Sequence, residues 1–380
     1  MFWWGLNGTA DVDWFGAWTH DPTLDMSDAT EIILFAGEEN GQLKFLVEID
    51  YLFFPNDVSL VEESTCLPYW VGYVEKDELV FSDCLKLHPH WMKTMQEKNL
   101  LAGVNLIDIG LPGTHDAAAA NQYKNWTNDG LVESITSEWT FTHHNGIYKQ
   151  LVLGTRYIDI RIGYYPEKEH QYYINHGVVF IVPLYIVLQD VEKFMSETAE
   201  IVIFDIHGLE HDFTGYEEAL PGLKMLIESY LVQWMLPRQF QTNPTLDAIW
   251  ATDDKRLIVT YPGDANSDLY WDSVYHLWAD ANNLQDLTAY HDSGIPDQSA
   301  NSNKLWSVMA QFTATAVDVS LNRWGGLEGA AVVTNFPMNT KLRQDWWTMT
   351  NIFSMDFLQG SAVVDTVIQA NEMKFTCLLK

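Results

Sequence analysis

The pattern of apolar positions changes near residue 98. Before that point, apolar residues form short β-rich runs, such as EIILFA and LKFLVEIDYLFF, separated by the turn signal GEENGQ. No helical period is evident before Pro89. We therefore predict a small, all-β, sandwich-like N-terminal domain over residues 1–98.

From residue 99 onwards, short apolar strands alternate with helical stretches such as PLYIVLQDVEKFMSETA. The strands are almost continuously apolar, as expected when both faces of a sheet are covered. We predict eight of them, at 106–111, 155–162, 171–176, 200–207, 256–261, 273–278, 305–312 and 351–357. Eight strands alternating with helices predict an α/β fold, a TIM-type (β/α)8 barrel over residues 99–380. Pro112-Gly113, after the first strand, is interpreted as a turn at the barrel rim.

An open doubly wound sheet is the alternative architecture. It is disfavoured because no glycine-rich phosphate loop follows any predicted strand.

Composition and charge narrow the possible partners. Apolar residues make up 47% of the 380 residues and charged residues 19%, which is typical of a globular chain. The formal charge is −31, from 52 acidic against 21 basic residues, and such a field repels nucleic acid and anionic membranes. We expect no nucleic-acid partner, and any anionic ligand must be held by a few local cations.

The cysteines and glycosylation triplets favour an extracellular location. Cys66 and Cys84 lie almost equally far from a hairpin turn at Glu75–Glu78, so a disulfide is predicted, with two buried free thiols as the alternative. Cys377 is left over and expected to be buried. Asn-x-Thr triplets begin at Asn7 and Asn125. The given chain opens without a recognisable signal peptide, and no apolar run reaches the roughly 20 residues of a membrane span.

Titratable side chains occur at the ends of five predicted strands. A lone histidine is usually structural, and the simplest interpretation of His115 and Asp116, at the end of the first strand, is that they are solvated turn residues. Chemistry in a barrel, however, is carried by the C-terminal ends of its strands. The strand-end residues are His115 with Asp116, Asp159 with Arg161, His176, Asp205 with His207, and Asp356.

Four segments resemble the X-region of phosphatidylinositol-specific phospholipases C and follow one another in that family's order. They are LPGTHDAAAA, QLVLGTRYIDIRIGYY, YYINHG and EIVIFDIHG, within a similarity over residues 100–372. The preceding part looks like the extension of secreted arthropod X-domain proteins. Ala117 departs from the serine that is common in relatives.

The resemblance implies a role for each motif residue. His115 would be the general base that takes the proton from the inositol 2-hydroxyl, and Asp356 would orient it. Arg161 would bind the nonbridging phosphate oxygens. His176 would be the general acid, with Asp116 hydrogen-bonded to it and keeping it protonated.

Further residues are expected to line the substrate site. Asp159 would support Arg161 or contact the inositol ring, and Asp205 and His207 would contact inositol. Together with Glu210 and His211, these last two could instead form a metal cluster, although their spacing fits no standard zinc pattern.

The resemblance also implies metal independence. In calcium-dependent relatives the second-strand motif carries two carboxylates, whereas Arg161 occupies the second position here, and His115 is followed by Asp116 instead of asparagine. A guanidinium repels a cation and substitutes for its charge. We expect neither a metal nor a cofactor.

Three functions remain open at this point. The first is cleavage of phosphatidylinositol or its glycosylated form, with Trp126 and Trp139 either inserting transiently at a membrane interface or packing under their loop. The second keeps the histidine pair but uses a non-inositol substrate. The third is a non-catalytic barrel that binds a ligand or a protein.

Overall fold

The structure is a computed structural model of the chain. It describes residues 2–3, 6, 8–10, 12–38, 41–42, 53–126, 137–211, 213, 215–216, 218–262 and 267–378.

The N-terminal region contains two antiparallel sheets. Its strands are β1 (Phe2–Trp3), β2 (Trp14–Trp18), β3 (Glu31–Leu34), β4 (Gly41–Gln42), β5 (Thr65–Glu75) and β6 (Glu78–Leu87). A four-stranded sheet has the order β3-β2-β5-β6, and β1 pairs with β4 separately. The predicted strand over 43–54 lies almost wholly outside the described residues. The limits of an N-terminal domain therefore stay a prediction.

The predicted β5–β6 hairpin is present and carries a disulfide between Cys66 and Cys84, whose Cα atoms are 5.6 Å apart. Lys76 and Asp77 form its turn with φ of 51° and 62°, the left-handed pair whose twist matches that of the flanking strands. Cys377 is exposed, so the expectation that it is buried is wrong. Asn125 is exposed, whereas Asn7 lies outside the described residues.

The remaining region alternates strands and helices. The strands are β7 (Leu111–Thr114), β8 (Tyr157–Tyr164), β9 (Tyr172–His176), β10 (Val179–Pro183), β11 (Val202–Glu210), β12 (Leu257–Thr260), β13 (Tyr275–Trp278), β14 (Trp306–Met309) and β15 (Ile352–Met355). The helices are α1 (Trp91–Glu97), α2 (Ile147–Val152), α3 (Leu184–Glu197), α4 (Ala219–Leu231), α5 (Leu246–Trp250), α6 (Leu284–Asn301), α7 (Ala316–Ser320), α8 (Leu327–Lys341) and α9 (Val363–Leu378).

Seven of these strands are parallel and form a curled half-barrel in the order β13-β14-β15-β7-β8-β11-β12. Among the described residues no ladder joins β12 to β13, and an isolated bridge instead pairs Thr260 of β12 with Trp271, which precedes β13. The barrel-type α/β fold is confirmed, but closure by eight parallel strands is not seen.

The segment predicted as the third barrel strand runs in the opposite direction. β9 pairs antiparallel with β8 and forms a hairpin with β10. The loop 165–171 is too short for the crossover of a dozen or more residues that a parallel connection needs. An apolar run therefore predicted a strand correctly but not its direction.

The first barrel strand begins later than predicted. Pro112 and Gly113 lie inside β7 rather than in a turn at the rim, and 106–110 form turns before the strand. Pairing with β8 begins at Gly113 opposite Tyr157, so the missing N–H of Pro112 costs no ladder hydrogen bond. A Cβ on Gly113 would lie 2.3 Å from Ser354 Oγ, so only glycine fits there.

Two buried charged clusters attach the segment after β6 to the barrel. The fully buried Arg156 donates from Nε to Glu200 (2.8 Å) and from Nη2 to the carbonyl oxygens of His88 and Pro89. His88 lies between the carboxylates of Glu63 and Asp365. Within the described ranges, every helix is too short or too polar to cross a bilayer.

Candidate active site

The half-barrel brings the predicted strand-end residues to one edge of the sheet. His115 and Asp116 follow β7 directly, and Asp356 follows the neighbouring β15. Asp159 and Arg161 point to the same side of β8 because side chains two positions apart share a face. The remaining contributors are His176 at the end of β9, and Asp205 with His207 on β11.

His115 and Asp356 form a buried pair. The imidazole donates from Nδ1 to Asp356 Oδ1 at 2.8 Å, which leaves the Nε2 lone pair for a second partner. That partner is Arg161, whose Nη2 lies 2.9 Å from Nε2. Burial lowers the pKa of His115, but Asp356 and Asp116 raise it by more, so the net pKa is raised. His115 is thus a strengthened proton acceptor whose lone pair is capped by a guanidinium.

Asp116 lies at the centre of the cluster. Its Oδ1 is 2.7 Å from Arg161 Nε, and its Oδ2 is 3.5 Å from His176 Nε2 and 3.8 Å from His115 Nε2. The nearest charged partner of Asp116 is therefore Arg161, whereas the sequence pointed to His176. Asp116 also adopts a left-handed backbone, with φ of 43°, which is unfavourable for a residue other than glycine and is found at functional sites.

Arg161 is a fixed cation supported by two carboxylates. Burial lowers its pKa, but Asp116 and Asp159 raise it by more. Asp159 Oδ2 lies 3.9 Å from Arg161 Nη2 and accepts the main-chain N–H of Asp116 at 3.1 Å. Burial raises the pKa of Asp159, but Arg161 and neighbouring histidines outweigh it, so Asp159 stays ionised. The guanidinium also lies 5.8 Å from the centre of the Trp278 ring.

His176 is held in one tautomer. Its Nδ1 donates to the carbonyl oxygen of Thr140 at 2.7 Å, so its Nε2 faces Asp116 and the open side of the site. Gly177 follows with φ of 58°, a conformation that favours glycine and lets the chain turn into β10.

Asp205 lies at the centre of a second hydrogen-bond network. Tyr157 donates its hydroxyl to Asp205 Oδ2 at 2.7 Å, and Thr260 donates to the other oxygen. His276 Nε2 lies 2.7 Å from the Tyr157 hydroxyl, and His207 Nδ1 lies 3.5 Å from Asp205 Oδ2. The rings of His207 and His276 stack in parallel, with centroids 3.5 Å apart. Burial lowers the pKa of His207, but Asp205 and Asp159 raise it by more.

Sequence reasoning missed two residues of this site. His276 and Trp278 occupy alternate positions of β13, and their inward alternation in SVYHLW was the available signal. The Trp278 ring lies edge-on to His115, 5.3 Å between centroids.

Within the part of the chain that the structure describes, two groups of three side chains could supply metal ligands, but neither has a suitable arrangement. Asp205, His207 and His276 form one group, yet two parallel stacked rings cannot both hold an ion in their planes. His115, Asp116 and Asp159 form the other, and the Arg161 guanidinium already lies among them.

The alternative of a metal cluster that includes residues 210 and 211 is not supported by their contacts. His211 donates from Nδ1 to the Tyr164 carbonyl and stacks on Tyr165, and Glu210 accepts from Asn175.

Three buried carboxylate oxygens here accept no well-aligned hydrogen bond, namely both oxygens of Asp116 and Oδ1 of Asp159. Buried polar groups are usually satisfied, so such atoms at one place indicate a polar ligand site.

No protein-family model matches the chain. Several curated proteins resemble it, including the following three. A PI-PLC X domain-containing protein of Dictyostelium discoideum is 32% identical over 123 residues, 30% of this chain and 21% of that protein. PI-PLC X domain-containing protein 2 of Mus musculus is 21% identical over 308 residues, covering 74% of this chain and 87% of that protein. Variant-surface-glycoprotein phospholipase C of Trypanosoma cruzi is 20% identical over 298 residues, 70% and 78% respectively.

The fold is shared with a solved structure. Phosphatidylinositol-specific phospholipase C from Listeria monocytogenes aligns with a TM-score of 0.52 at 19% identity, over 74% of this chain and 98% of that one. The chain thus has the barrel-type fold of that phospholipase. Sequence and fold together confirm the resemblance to the phosphatidylinositol-specific phospholipase C X-domain family.

Proposed function

We propose that this chain is a metal-independent phosphodiesterase that cleaves phosphatidylinositol, or glycosyl-phosphatidylinositol, by attack of the inositol 2-hydroxyl on phosphorus. The observation that carries the proposal is the position of Arg161 between two histidines. The guanidinium touches His115 Nε2 at 2.9 Å and pairs with Asp116, whose other oxygen faces His176 Nε2. Internal attack on a phosphodiester needs a base at the attacking hydroxyl, a cation at the phosphate and an acid at the leaving oxygen, and the three groups must be arranged in space in that order.

The base step begins at His115. A bound phosphate draws the Arg161 N–H groups to its nonbridging oxygens, which frees the Nε2 lone pair of His115. Nε2 then takes the proton of the 2-hydroxyl while the hydroxyl oxygen forms a bond to phosphorus. Asp356, already hydrogen-bonded to Nδ1, stabilises the imidazolium that results.

The acid step belongs to His176. As the bond between phosphorus and the glycerol oxygen breaks, protonated His176 gives its Nε2 proton to that oxygen. Its Nδ1–H stays bound to the Thr140 carbonyl, and Asp116 stabilises the charged ring. The products are diacylglycerol and a cyclic inositol phosphate, which the same histidines with exchanged roles can hydrolyse.

The relatives support the substrate class. The Trypanosoma cruzi protein carries the name of a variant-surface-glycoprotein phospholipase C, and a Listeria monocytogenes relative is named a 1-phosphatidylinositol phosphodiesterase. Arg161, in ion-pair contact with Asp116, supports a mechanism in which a guanidinium supplies the positive charge at phosphorus.

A second candidate keeps the histidine pair but takes a non-inositol phosphodiester. It is favoured by the stacked imidazoles of His207 and His276, which place two rigid parallel rings at the expected inositol contact. Comparing inositol and non-inositol lipids in one assay separates the two candidates.

We further propose that the enzyme is secreted and touches lipid surfaces transiently. The Cys66–Cys84 disulfide supports an oxidising compartment. Trp126 is exposed, and Val178, two residues after His176, is 91% exposed, whereas Trp139 packs near Trp324. With a charge of −31, the surface should prefer zwitterionic to anionic bilayers.

The test is release of water-soluble inositol phosphate from labelled phosphatidylinositol in phosphatidylcholine vesicles with excess chelator. We expect turnover by the wild type and its loss in His115→Ala and His176→Ala, with His170→Ala, a histidine outside the site, as the matched control. Turnover that requires added calcium, or that survives in both variants, contradicts the proposal.

A further inference from the structure

We propose that the segment Thr140–His143, here called the strap, holds the general base His115 and the general acid His176 in a fixed relative position. His143 is its positioning residue. The inference rests on the proposed function, which assigns those two roles. The strap lies beside the site without reaching the reacting atoms, and its side chains act through the main chain of the catalytic residues.

On the base side, the strap holds the turn that follows β7. His143 donates from Nε2 to the carbonyl oxygen of His115 at 2.9 Å. Thr142 donates its hydroxyl to the carbonyl oxygen of Asp116 at 2.8 Å, and its main-chain N–H to Ala119. The peptides of both motif residues are thus fixed by two adjacent side chains.

On the acid side, the strap supplies main-chain acceptors. The Thr140 carbonyl receives Nδ1–H of His176 at 2.7 Å. The Thr142 carbonyl receives the N–H of Phe357 at 2.7 Å, directly after Asp356. Four residues therefore contact three strand ends, which are far apart in sequence and must be held at a common geometry.

Two strained residues depend on the strap. Asp116 and Phe357 have φ of 43° and 46°, a left-handed region that aspartate tolerates better than most residues and that a bulky residue such as phenylalanine rarely occupies. Both are hydrogen-bonded to Thr142, one to its hydroxyl and one to its carbonyl. Strain of this kind persists only where surrounding contacts over-determine it, and the strap supplies those contacts.

His143 suits this role because it stays neutral. It is fully buried, and burial lowers its pKa to about 4, so its Nε2–H remains a donor across the pH range of the proposed reaction. Its Nδ1 is buried without a hydrogen bond, and its ring packs near Phe357.

His291 is a matched control elsewhere in the barrel. It is also fully buried, donates from Nε2 to the Met309 carbonyl at 3.1 Å, and has a pKa lowered by burial to about 4. It lies on α6, outside the set of residues given roles above. Substituting each histidine by phenylalanine removes the same kind of hydrogen bond at a similar structural cost.

The experiment compares His143→Phe, His143→Gln and His291→Phe. The readouts are the titration curves of His115 and His176 by NMR, which need no substrate, and the pH profile of kcat/KM on phosphatidylinositol vesicles. We expect His143→Phe to shift the titration of His115 by at least half a pH unit and to lower kcat at least 10-fold with little change in KM. His143→Gln, which keeps an amide donor, should recover most of both, and His291→Phe should change neither.

Thr142→Val and Thr142→Ser test the strap if His143→Phe does not fold. Valine removes the hydroxyl at constant shape and should lower kcat, whereas serine should retain it. Unchanged His115 and His176 titrations in both His143→Phe and Thr142→Val, or equal effects in His291→Phe, overturn the inference. An inactive wild type with strap-dependent titrations would refute the proposed function and leave the positioning role standing.

Discussion

Arg161 Nη2 donates to His115 Nε2 across 2.9 Å, so the proposed phosphate-binding cation is in direct contact with the proposed general base. A neutral imidazole lone pair is required for this contact, because two cations would repel at this distance. In the proposed mechanism a bound phosphate therefore has two effects when it draws Arg161 away: the phosphate gains a cation as its partner, and the lone pair of His115 becomes accessible.

Removing Arg161 should change the titration of the base as well as the rate. Arg161 lowers the pKa of His115, so Arg161→Gln should raise it and move the acidic limb of the kcat/KM profile to higher pH. Loss of the phosphate contact should reduce kcat/KM by about 10²- to 10³-fold. NMR titration and pH–rate profiles measure both, with Arg238→Gln, remote from the site, as the control. An unshifted His115 titration in Arg161→Gln would refute the contact.

Asp356→Asn should weaken His115 as a base, because it removes the negative charge beside the imidazole. The carboxylate raises the pKa of His115 and fixes its Nδ1–H tautomer, so the variant should have a lower His115 pKa and a kcat about 10²- to 10⁴-fold lower. The acidic limb of the profile then moves to lower pH, opposite to the shift in Arg161→Gln. Shifts of the same sign in both variants would contradict the assigned roles.

His88 should make the free energy of unfolding decrease at alkaline pH. Burial lowers its pKa, but Asp365 and Glu63 outweigh burial and raise it to about 9 from an ordinary value of 6.5. The stabilisation, of the order of 3 kcal/mol, is complete below pH 6.5 and is lost as the pH rises through 9. Denaturant unfolding of the wild type and His88→Gln at pH 6 and pH 9.5 should show a difference in free energy that shrinks at the higher pH. A constant difference would contradict this.

The Cys66–Cys84 link should contribute stability without affecting chemistry. It closes a loop with a sequence separation of 18 residues, for which a loss of about 3 kcal/mol on removal is typical. Cys66→Ser/Cys84→Ser should lower the free energy of unfolding and leave kcat unchanged. Mass spectrometry under non-reducing conditions should find the two cysteines in one linked peptide, and two free thiols would defeat this prediction.

Much of the candidate site could be predicted from sequence because most of its motif residues lie on or just after parallel strands, which bring their side chains to one edge of the sheet. The direction of β9 was missed because the apolar run itself carries no orientation, although the segment before it is too short for a parallel crossover. The start of β7 was misplaced because Pro112-Gly113 is a common turn signal. Trp278 and His276 reach the site from a strand whose pattern looked structural. His143 contacts the site through its ring and a main-chain carbonyl, a long-range relationship that local pattern does not encode.

The central claim is internal attack by the inositol hydroxyl without a metal, and a time course by ³¹P NMR tests it most directly. Wild-type protein is mixed with phosphatidylinositol in phosphatidylcholine vesicles with excess chelator. The account predicts that the resonance of a five-membered cyclic phosphodiester appears first and only later converts to a linear monoester. A linear monoester as the first product, or no product until calcium is added, would contradict the account.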